Sequence, residues 1–195
     1  MKLKDIATVT TGQILSRVTD DDDTTADRFT VLTPTAIDNG FIRKDDLKET
    51  YVFKSVGPEK FTKEGDVVLK LSSPYDAAYI DFDNRLSLIP NFLAAVRIKG
   101  EVDPHFLAAY FNSQYFRNQI EAIQTGAARP MIRVSDLREV EIPDIPYDRM
   151  KELGEQYRLS CEMRALLSEM AEVEKELMEN TLLEAIKEKM DENNN

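Results

Sequence analysis

Several kinds of residue and pattern are scarce in this sequence of 195 residues, and each scarcity excludes a class of protein. A single cysteine, Cys161, excludes a disulfide framework within the chain. A single histidine, His105, argues against a zinc site of the Cys/His type. No apolar run approaches the ~18 residues that cross a bilayer, and the first residues lack a signal-like apolar stretch. We therefore expect a cytoplasmic protein with no membrane segment.

Motifs of common catalytic and cofactor sites are also missing. The seven glycines are isolated in the sequence, so none belongs to a phosphate-cradling loop. No paired nucleophile and base, and no methyl-donor motif, is recognisable. These absences predict a protein that is not an enzyme and that holds no cofactor or metal, so that any chemistry belongs to its partners.

Basic charge is in deficit, since 25 lysines and arginines stand against 36 aspartates and glutamates, a formal net charge of −11. This balance opposes non-specific DNA binding, which depends on cations that neutralise phosphates. The deficit is uneven: residues 147–195 hold 7 basic and 13 acidic residues, and residues 1–146 hold 18 and 23. Four of those 23 acids form the run Asp20–Asp23, which we interpret as a solvated loop, with calcium binding as the alternative. Without that run the first part is nearly neutral, which leaves room for a local basic surface.

The first hundred residues have the pattern of short strands separated by turns. Residues 3–9 form an element of uncertain type, and Asp38-Asn39-Gly40 supplies the positive φ of a tight turn between two strands. Further strand candidates are YVFKSV, DVVLKLS, AAYIDF and FLAAVRIKG. Asp103-Pro104 predicts the start of a helix that continues at helical spacing to Gly126, and a short helix or a loop follows near Ser135. We predict an α+β fold, with a mixed β-rich domain and packed helices over residues 1–146.

A long helix is predicted over residues 147–192, with one interior glycine, Gly154. Apolar residues recur at the alternating spacing of four and three that is typical of a coiled coil: Leu159, Met163, Leu166, Met170, Val173 and Leu177. The next position of this series is the polar residue Asn180. A rod of these residues would be roughly 69 Å long, more than a domain of this size can cover. The apolar stripe therefore needs a partner helix from a second chain, or the helix folds back onto its own domain.

The order of these segments resembles the DNA-specificity subunits of Type I restriction-modification systems, over essentially all of residues 1–190. The resemblance is carried in order by KLKDIATVTTGQ, TAIDNGFIRKDDL, KEGDVVLKLSS, VDPHFLAAYFNSQYFRNQI and TGAARPMIRVSDLREVEIPDIP. One departure is that Glu155-Gln156 lies several residues later than the Glu-Gln pair that commonly opens the family's helix. In that family a complete subunit carries two target-recognition domains, each followed by a long helix, and the two helices pack together as a spacer. This chain has one of each, so it looks like a half-subunit that works as a homodimer or is a truncated spare cassette.

The resemblance implies that the globular domain reads double-stranded DNA, while the helix sets a distance and binds methyltransferase and restriction subunits. TGAARPMIR would then face DNA, with Gly126 permitting close approach and with Arg129 and Arg133 available for phosphates or a guanine edge. The alternative for this stretch is an ordinary helix-ending turn with exposed arginines.

A second polar turn offers another set of donors after the strand candidate DVVLKLS. The donors of this set suit base edges or phosphates, and they belong to Lys70, Ser72, Ser73 and Tyr75. The alternative is that the same residues form an ordinary loop. The resemblance thus predicts a non-catalytic DNA-recognition subunit that directs its partners to a bipartite site. An acidic coiled-coil protein that binds protein partners without reading DNA is the alternative, and an isolated enzyme is the weakest hypothesis.

Overall fold

Thirteen regular helices and strands are described by a computed structural model that covers residues 1–19, 27–52, 54–81, 83, 86–123 and 131–193. In chain order they are α1 Leu3–Ile6, β1 Ala7–Thr11, β2 Asp27–Val31, β3 Ile37–Asp38, β4 Phe41–Ile42, β5 Lys48–Val52, β6 Val67–Lys70, β7 Ala77–Tyr79, β8 Leu93–Ile98, α2 Pro104–Phe111, α3 Gln114–Ile123, α4 Val134–Glu139 and α5 Tyr147–Asn193. The predicted α+β fold with a long C-terminal helix is confirmed.

The largest sheet has four antiparallel strands in the order β1-β8-β6-β7. Its central strand β8 pairs Val96 with Val9 on one side and with Val67 on the other. Two separate ribbons, β2 with β5 and β3 with β4, complete the strands of the described part. The β3–β4 turn has positive φ at Asn39 and Gly40, as the Asp-Asn-Gly sequence predicts.

Both faces of the four-stranded sheet are covered, and this explains the apolar run in β6. Val67 and Leu69 pack in a cluster with α1 to α4 and the first turns of α5, whereas Val68 packs on the opposite face with Leu32 and Ile80. All five side chains are fully buried. A strand buried on both faces is continuously apolar rather than alternating, as VVL is here.

We predicted one continuous helix from Asp103 to Gly126, and this was wrong. The helix is interrupted, because α2 ends at Phe111 and α3 begins at Gln114. Its start is confirmed, because the Asp103 carboxylate accepts a hydrogen bond from the Phe106 N–H at 2.8 Å. The break falls at Asn112 and Ser113, where the Ser113 hydroxyl donates to the Tyr110 carbonyl (2.6 Å) and accepts from the Phe116 N–H (3.2 Å). Local hydrogen bonds from a serine side chain compete with the helical backbone pattern, and here they begin a new helix.

The N-terminal residues pair with the segment that leads into α5. The Leu3 N–H donates to the Val140 carbonyl at 3.0 Å, and the Ile142 N–H donates to the Met1 carbonyl at 2.8 Å. Residues 134–139 form the helix α4, which resolves the choice between helix and loop near Ser135. On its last turn Glu139 accepts from the ammonium groups of Lys2 and Lys4, which hold the pKa of that carboxyl at about 2. The two ends of the globular domain are therefore joined directly.

Two compact units divide the chain between Arg158 and Leu159, inside α5. The first unit is Met1–Arg158 and includes the first turns of the helix; the second is the rest of the chain. None of the described helices is both long and apolar enough to cross a membrane.

Candidate nucleic-acid interface

The end of β6 and the turn that joins it to β7 carry four of the predicted DNA-binding residues. The Lys70 N–H donates to the Asp76 carbonyl and the Tyr75 N–H to the Ser72 carbonyl, each at 2.9 Å, so the connection is a closed turn. Ser72 and Ser73 are exposed at its tip. Tyr75 is only 6% exposed and has φ +60°, a left-handed backbone conformation that few residues other than glycine adopt. Its side chain anchors the turn in the core beside Leu71.

Ion pairs and a hydrogen bond from charged side chains stabilise the same turn. The Lys70 ammonium lies 2.9 Å from the Asp76 carboxylate, and both side chains are 14% exposed. The Arg117 guanidinium, on α3, lies 3.5 Å from the same carboxylate and donates to the Pro74 carbonyl. Lys70 is thus mostly buried and ion-paired, whereas the sequence analysis presented it as a direct contact to DNA.

Residues 131–133, the end of the segment TGAARPMIR that was predicted to face DNA, follow this turn in the structure. Met131 pairs with Ser72 in an antiparallel bridge, and the Ile132 N–H donates to the Leu71 carbonyl at 2.7 Å. Ile132 is buried, whereas Arg133 is exposed at the residue before α4. The structure therefore places Met131 and Ile132 beside Ser72 and Leu71, and Arg133 is the next residue along the chain. Gly126 and Arg129 lie outside the described residues.

Sequence reasoning missed Asp76 and Arg117, which hold the turn. Asp76 directly follows Tyr75, and a carboxylate six positions after Lys70, across a short turn between two strands, is a signal for an ion pair. Arg117 gave no such signal, because it lies 41 positions beyond Asp76 and only the packing of α3 brings it there. Whether any of the predicted residues contacts DNA stays a prediction.

A polar cluster fastens the first turns of α5 to the domain that carries this turn. Asn112 exchanges two hydrogen bonds with the backbone of Ala77, at 2.9 and 2.8 Å, and donates to the Tyr157 hydroxyl at 2.8 Å. That hydroxyl donates in turn to the Asn39 carbonyl at 3.2 Å. The strand that leaves the candidate turn, the end of α2, the β3–β4 turn and α5 therefore meet at one point within the first unit.

The apolar stripe of α5 is open to solvent in the single chain. All six of its predicted contact residues are 51–67% exposed: Leu159, Met163, Leu166, Met170, Val173 and Leu177. Asn180, the next position of the series, is also exposed. Such a row of large apolar side chains is unusual on a solvated helix and is typical of interaction surfaces, so its pairing with a second helix stays a prediction.

Metal-binding groups are not assembled in the part of the chain that the structure describes, where no three His, Cys, Asp or Glu side chains are placed to hold an ion. The ring of the single histidine packs against the Tyr79 ring at a tilt of 40°, with centroids 4.1 Å apart. The cysteine, Cys161, is buried and lies 3.1 Å from an Arg164 nitrogen.

Comparison with known proteins identifies the fold. Neither the family models nor the curated protein sequences contain a match. Among solved structures, the chain superposes on the HsdS subunit from Thermoanaerobacter tengcongensis with a TM-score of 0.57 and 17% identity, over 86% of this chain and 38% of that one. The Type I restriction-modification S subunit from M. genitalium matches with a TM-score of 0.57 and 15% identity, over 89% and 41%.

A third solved chain, from a study of assembly and conformational transition in the type I R-M system, matches with a TM-score of 0.58 and 20% identity. The match covers 90% of this chain and 43% of that one. This chain therefore spans about two fifths of the length of these solved chains. The sheet, the packed helices and the long final helix together have the fold of the specificity subunits of Type I restriction-modification systems.

Proposed function

We propose that this protein is a sequence-specific DNA-recognition subunit of a Type I-like restriction-modification system. The observation that carries the proposal is the fold shared with three solved chains of Type I restriction-modification systems over 86–90% of the sequence. The protein itself catalyses no reaction and works in the cytoplasm, where methyltransferase and restriction subunits act on the DNA to which it directs them.

Direct contacts to DNA are made from the surface around the β6–β7 turn. Ser72 and Ser73 present hydroxyl groups that donate to and accept from base edges or phosphate oxygens. Arg133 makes no side-chain hydrogen bond or ion pair with the described residues, so its guanidinium is available for a phosphate or for the O6 and N7 atoms of a guanine. Gly126 and Arg129 belong to the same proposed surface by their position in the sequence.

Two copies of the chain supply the two halves of a bipartite site. The exposed stripe from Leu159 to Leu177 packs against the same stripe of a second copy, with the helices antiparallel. An antiparallel pair sets the two recognition domains at opposite ends of a spacer. The net charge of −6 over residues 147–195 keeps this spacer away from phosphates, which leaves its remaining surface to protein partners.

The test is a methylome experiment with the full chain. A host without adenine methylation expresses the chain with a Type I methyltransferase subunit from the same genome, and single-molecule sequencing locates the modified bases. We expect one new bipartite motif that requires both proteins. Absence of any motif, when the two proteins copurify, would contradict DNA recognition and favour the second candidate.

That second candidate is an acidic interaction protein that binds a methyltransferase through its stripe without reading DNA. The overall charge of −11 favours it, since few cations remain for phosphates. A salt titration separates the two functions, because the affinity of a recognition complex for DNA falls steeply as salt rises.

A further inference from the structure

The charged side chains of Lys70, Asp76 and Arg117 bind one another and the β6–β7 turn, which indicates a structural role. Lys70 and Arg117 share the single carboxylate of Asp76, and these three side chains are only 14%, 25% and 14% exposed. Arg117 also donates to the Pro74 carbonyl, at the tip of the turn. Each cation therefore has a protein partner, and most of each side chain is shielded from solvent.

We propose that Lys70 and Arg117 are positioning residues for DNA recognition, which fix Ser72 and Ser73 through Asp76 and the Pro74 carbonyl. The inference rests on the proposed function, because positioning matters only if the turn reads DNA. It changes the expected role of Lys70, which the sequence pattern presented as a direct contact.

Several independent anchors converge on this short connection. Asp76 is held by two cations, Pro74 by Arg117, Tyr75 by burial in the core, and Ser72 by its bridge to Met131. A turn ordered before binding loses less conformational entropy in the complex, so its hydroxyl groups discriminate between bases at lower cost. Arg117 stands on α3, which makes the position of the tip depend on the packing of a helix rather than on the turn alone.

The positioning role predicts a different effect from a phosphate contact. Loss of a cation that neutralises a phosphate weakens binding to every sequence and reduces the salt slope by about one. Loss of a positioning cation leaves the number of phosphate contacts unchanged, so the salt slope stays the same while preference for the correct sequence falls. Arg133 and Arg117 can therefore be compared directly. Loss of Arg133 should reduce the salt slope, whereas loss of Arg117 should reduce the preference for the correct sequence.

A first experiment needs no DNA. Hydrogen exchange at the Tyr75 amide, which is bonded to Ser72, is measured in the full chain and in the variants Arg117→Gln and Asp76→Asn. We expect exchange in the segment 71–76 to accelerate at least about tenfold in both, while the sheet amides of β8 keep their protection. Arg149→Gln, which removes an exposed pair with Glu152 on α5, is the control and should leave the turn unchanged. Unaltered exchange in both test variants would overturn the inference whatever the protein binds.

A second experiment uses the methyltransferase complex and two duplexes, one with the motif found by methylome sequencing and one with that motif scrambled. For Arg117→Gln we expect the preference for the correct duplex to fall about tenfold, the size of one misplaced base contact, with an unchanged salt slope. Arg133→Gln should instead reduce the slope by about one. Arg117→Lys, which keeps the charge near Asp76, should restore part of the preference and covers the case in which the glutamine variant does not fold.

The outcomes separate the inference from the function on which it rests. If the unaltered complex does not distinguish the duplexes, the proposed function fails and the positioning role fails with it. If the unaltered complex does distinguish them and both Arg117 variants retain full preference, only the inference is overturned. A reduced salt slope for Arg117→Gln would make Arg117 a direct phosphate contact and would also overturn it.

Discussion

At the scale of single residues, helix propensity alone predicts the wrong effect of a substitution at Gly154. In a free helix, replacing glycine with alanine stabilises by ~1 kcal/mol. Here a Cβ on residue 154 would lie 2.0 Å from the Asp103 carboxylate oxygen and 2.9 Å from the Phe106 nitrogen, which are the two atoms of the α2 cap. The glycine is therefore the point at which α5 approaches the start of α2.

We predict that Gly154→Ala destabilises the protein by about 1–3 kcal/mol, because the added methyl group displaces the Asp103 cap or the helix. Denaturant unfolding, followed by circular dichroism, measures the change. Ser168→Ala, an exposed substitution on the same helix, should be neutral or slightly stabilising. A stabilised Gly154→Ala variant would show that the close approach is absent in solution.

A buried ion pair between Arg97 on β8 and Asp66, the residue before β6, gives a prediction about pH. Arg97 bonds to the Asp66 carboxylate at 3.1 Å, and the Asp66 side chain is 4% exposed. Burial raises the pKa of Asp66, while its hydrogen bond to Arg97 opposes that rise. A carboxyl whose folded-state pKa lies above its unfolded value costs folding free energy that accumulates as pH rises through the unfolded pKa and is complete above the folded one, and removal of Arg97 enlarges this cost.

We expect Arg97→Met to destabilise the protein by about 3–5 kcal/mol at pH 7, because it leaves a buried carboxylate without its cation. The loss should be smaller at pH 5, because removal of Arg97 raises the pKa of Asp66 further and the cost of a raised folded-state pKa diminishes as pH falls toward the unfolded value. Urea unfolding of both proteins at the two pH values measures the difference. Arg43→Met, at an exposed pair with Asp38, should cost no more than about 1 kcal/mol. An equal loss at both pH values would refute the titration of Asp66.

At the scale of elements, the stripe on α5 has a defined end. The coiled-coil series runs from Leu159 to Leu177, after which its next positions are the polar residues Asn180, Glu184 and Lys187. The later exposed apolar residues Leu182, Ile186 and Met190 are spaced by four and lie on another side of the helix. The segment expected to pair with a second copy is therefore 159–177.

Replacing Leu166 and Met170 with aspartate should convert the proposed dimer to monomers, because two charges would be buried in the centre of the helix pair. Light scattering of the purified chain measures the mass. The control is Ser168→Asp with Ala171→Asp, which adds the same two charges on another side of the helix and should leave the dimer intact. An unchanged mass for the first variant would exclude this face as the interface.

At the scale of the whole molecule, symmetry follows from two copies of one recognition domain. A two-fold dimer presents the same contacts twice, so its methylated target should be an interrupted palindrome with matching halves. Inserting one heptad within residues 159–177 lengthens each helix by ~10.5 Å, which is roughly three base pairs of DNA. We expect the gap in the motif to grow accordingly while each half-site keeps its sequence.

Methylome sequencing of the unaltered and lengthened chains tests this prediction. An asymmetric motif that needs this chain as its only specificity component would contradict the two-fold model. A lengthened chain whose motif keeps its original gap would show that the helix pair does not set the spacing. A serine-rich insertion of equal length, which breaks the apolar series, serves as the control and should abolish the defined gap.

Local patterns in the sequence determined a substantial part of this fold. Asp103 and Pro104 specify the start of α2, and the Asp-Asn-Gly turn specifies the β3–β4 connection, because each depends on backbone geometry within a few residues. The long helix follows from its periodicity and from the absence of interior prolines. The order of such local patterns was also sufficient to indicate the family fold.

Only the tertiary structure decided which polar residues are exposed and which are engaged. Lys70 and Ser72 are neighbours in one polar turn, yet the first is ion-paired beneath it and the second is exposed at its tip. Arg117 reaches this turn, the Asn112 side chain bonds to Ala77, and Gly154 admits the α2 cap, each through contacts between residues far apart in sequence. Spacing within a short segment contains no information about such contacts, because they depend on how separate elements pack.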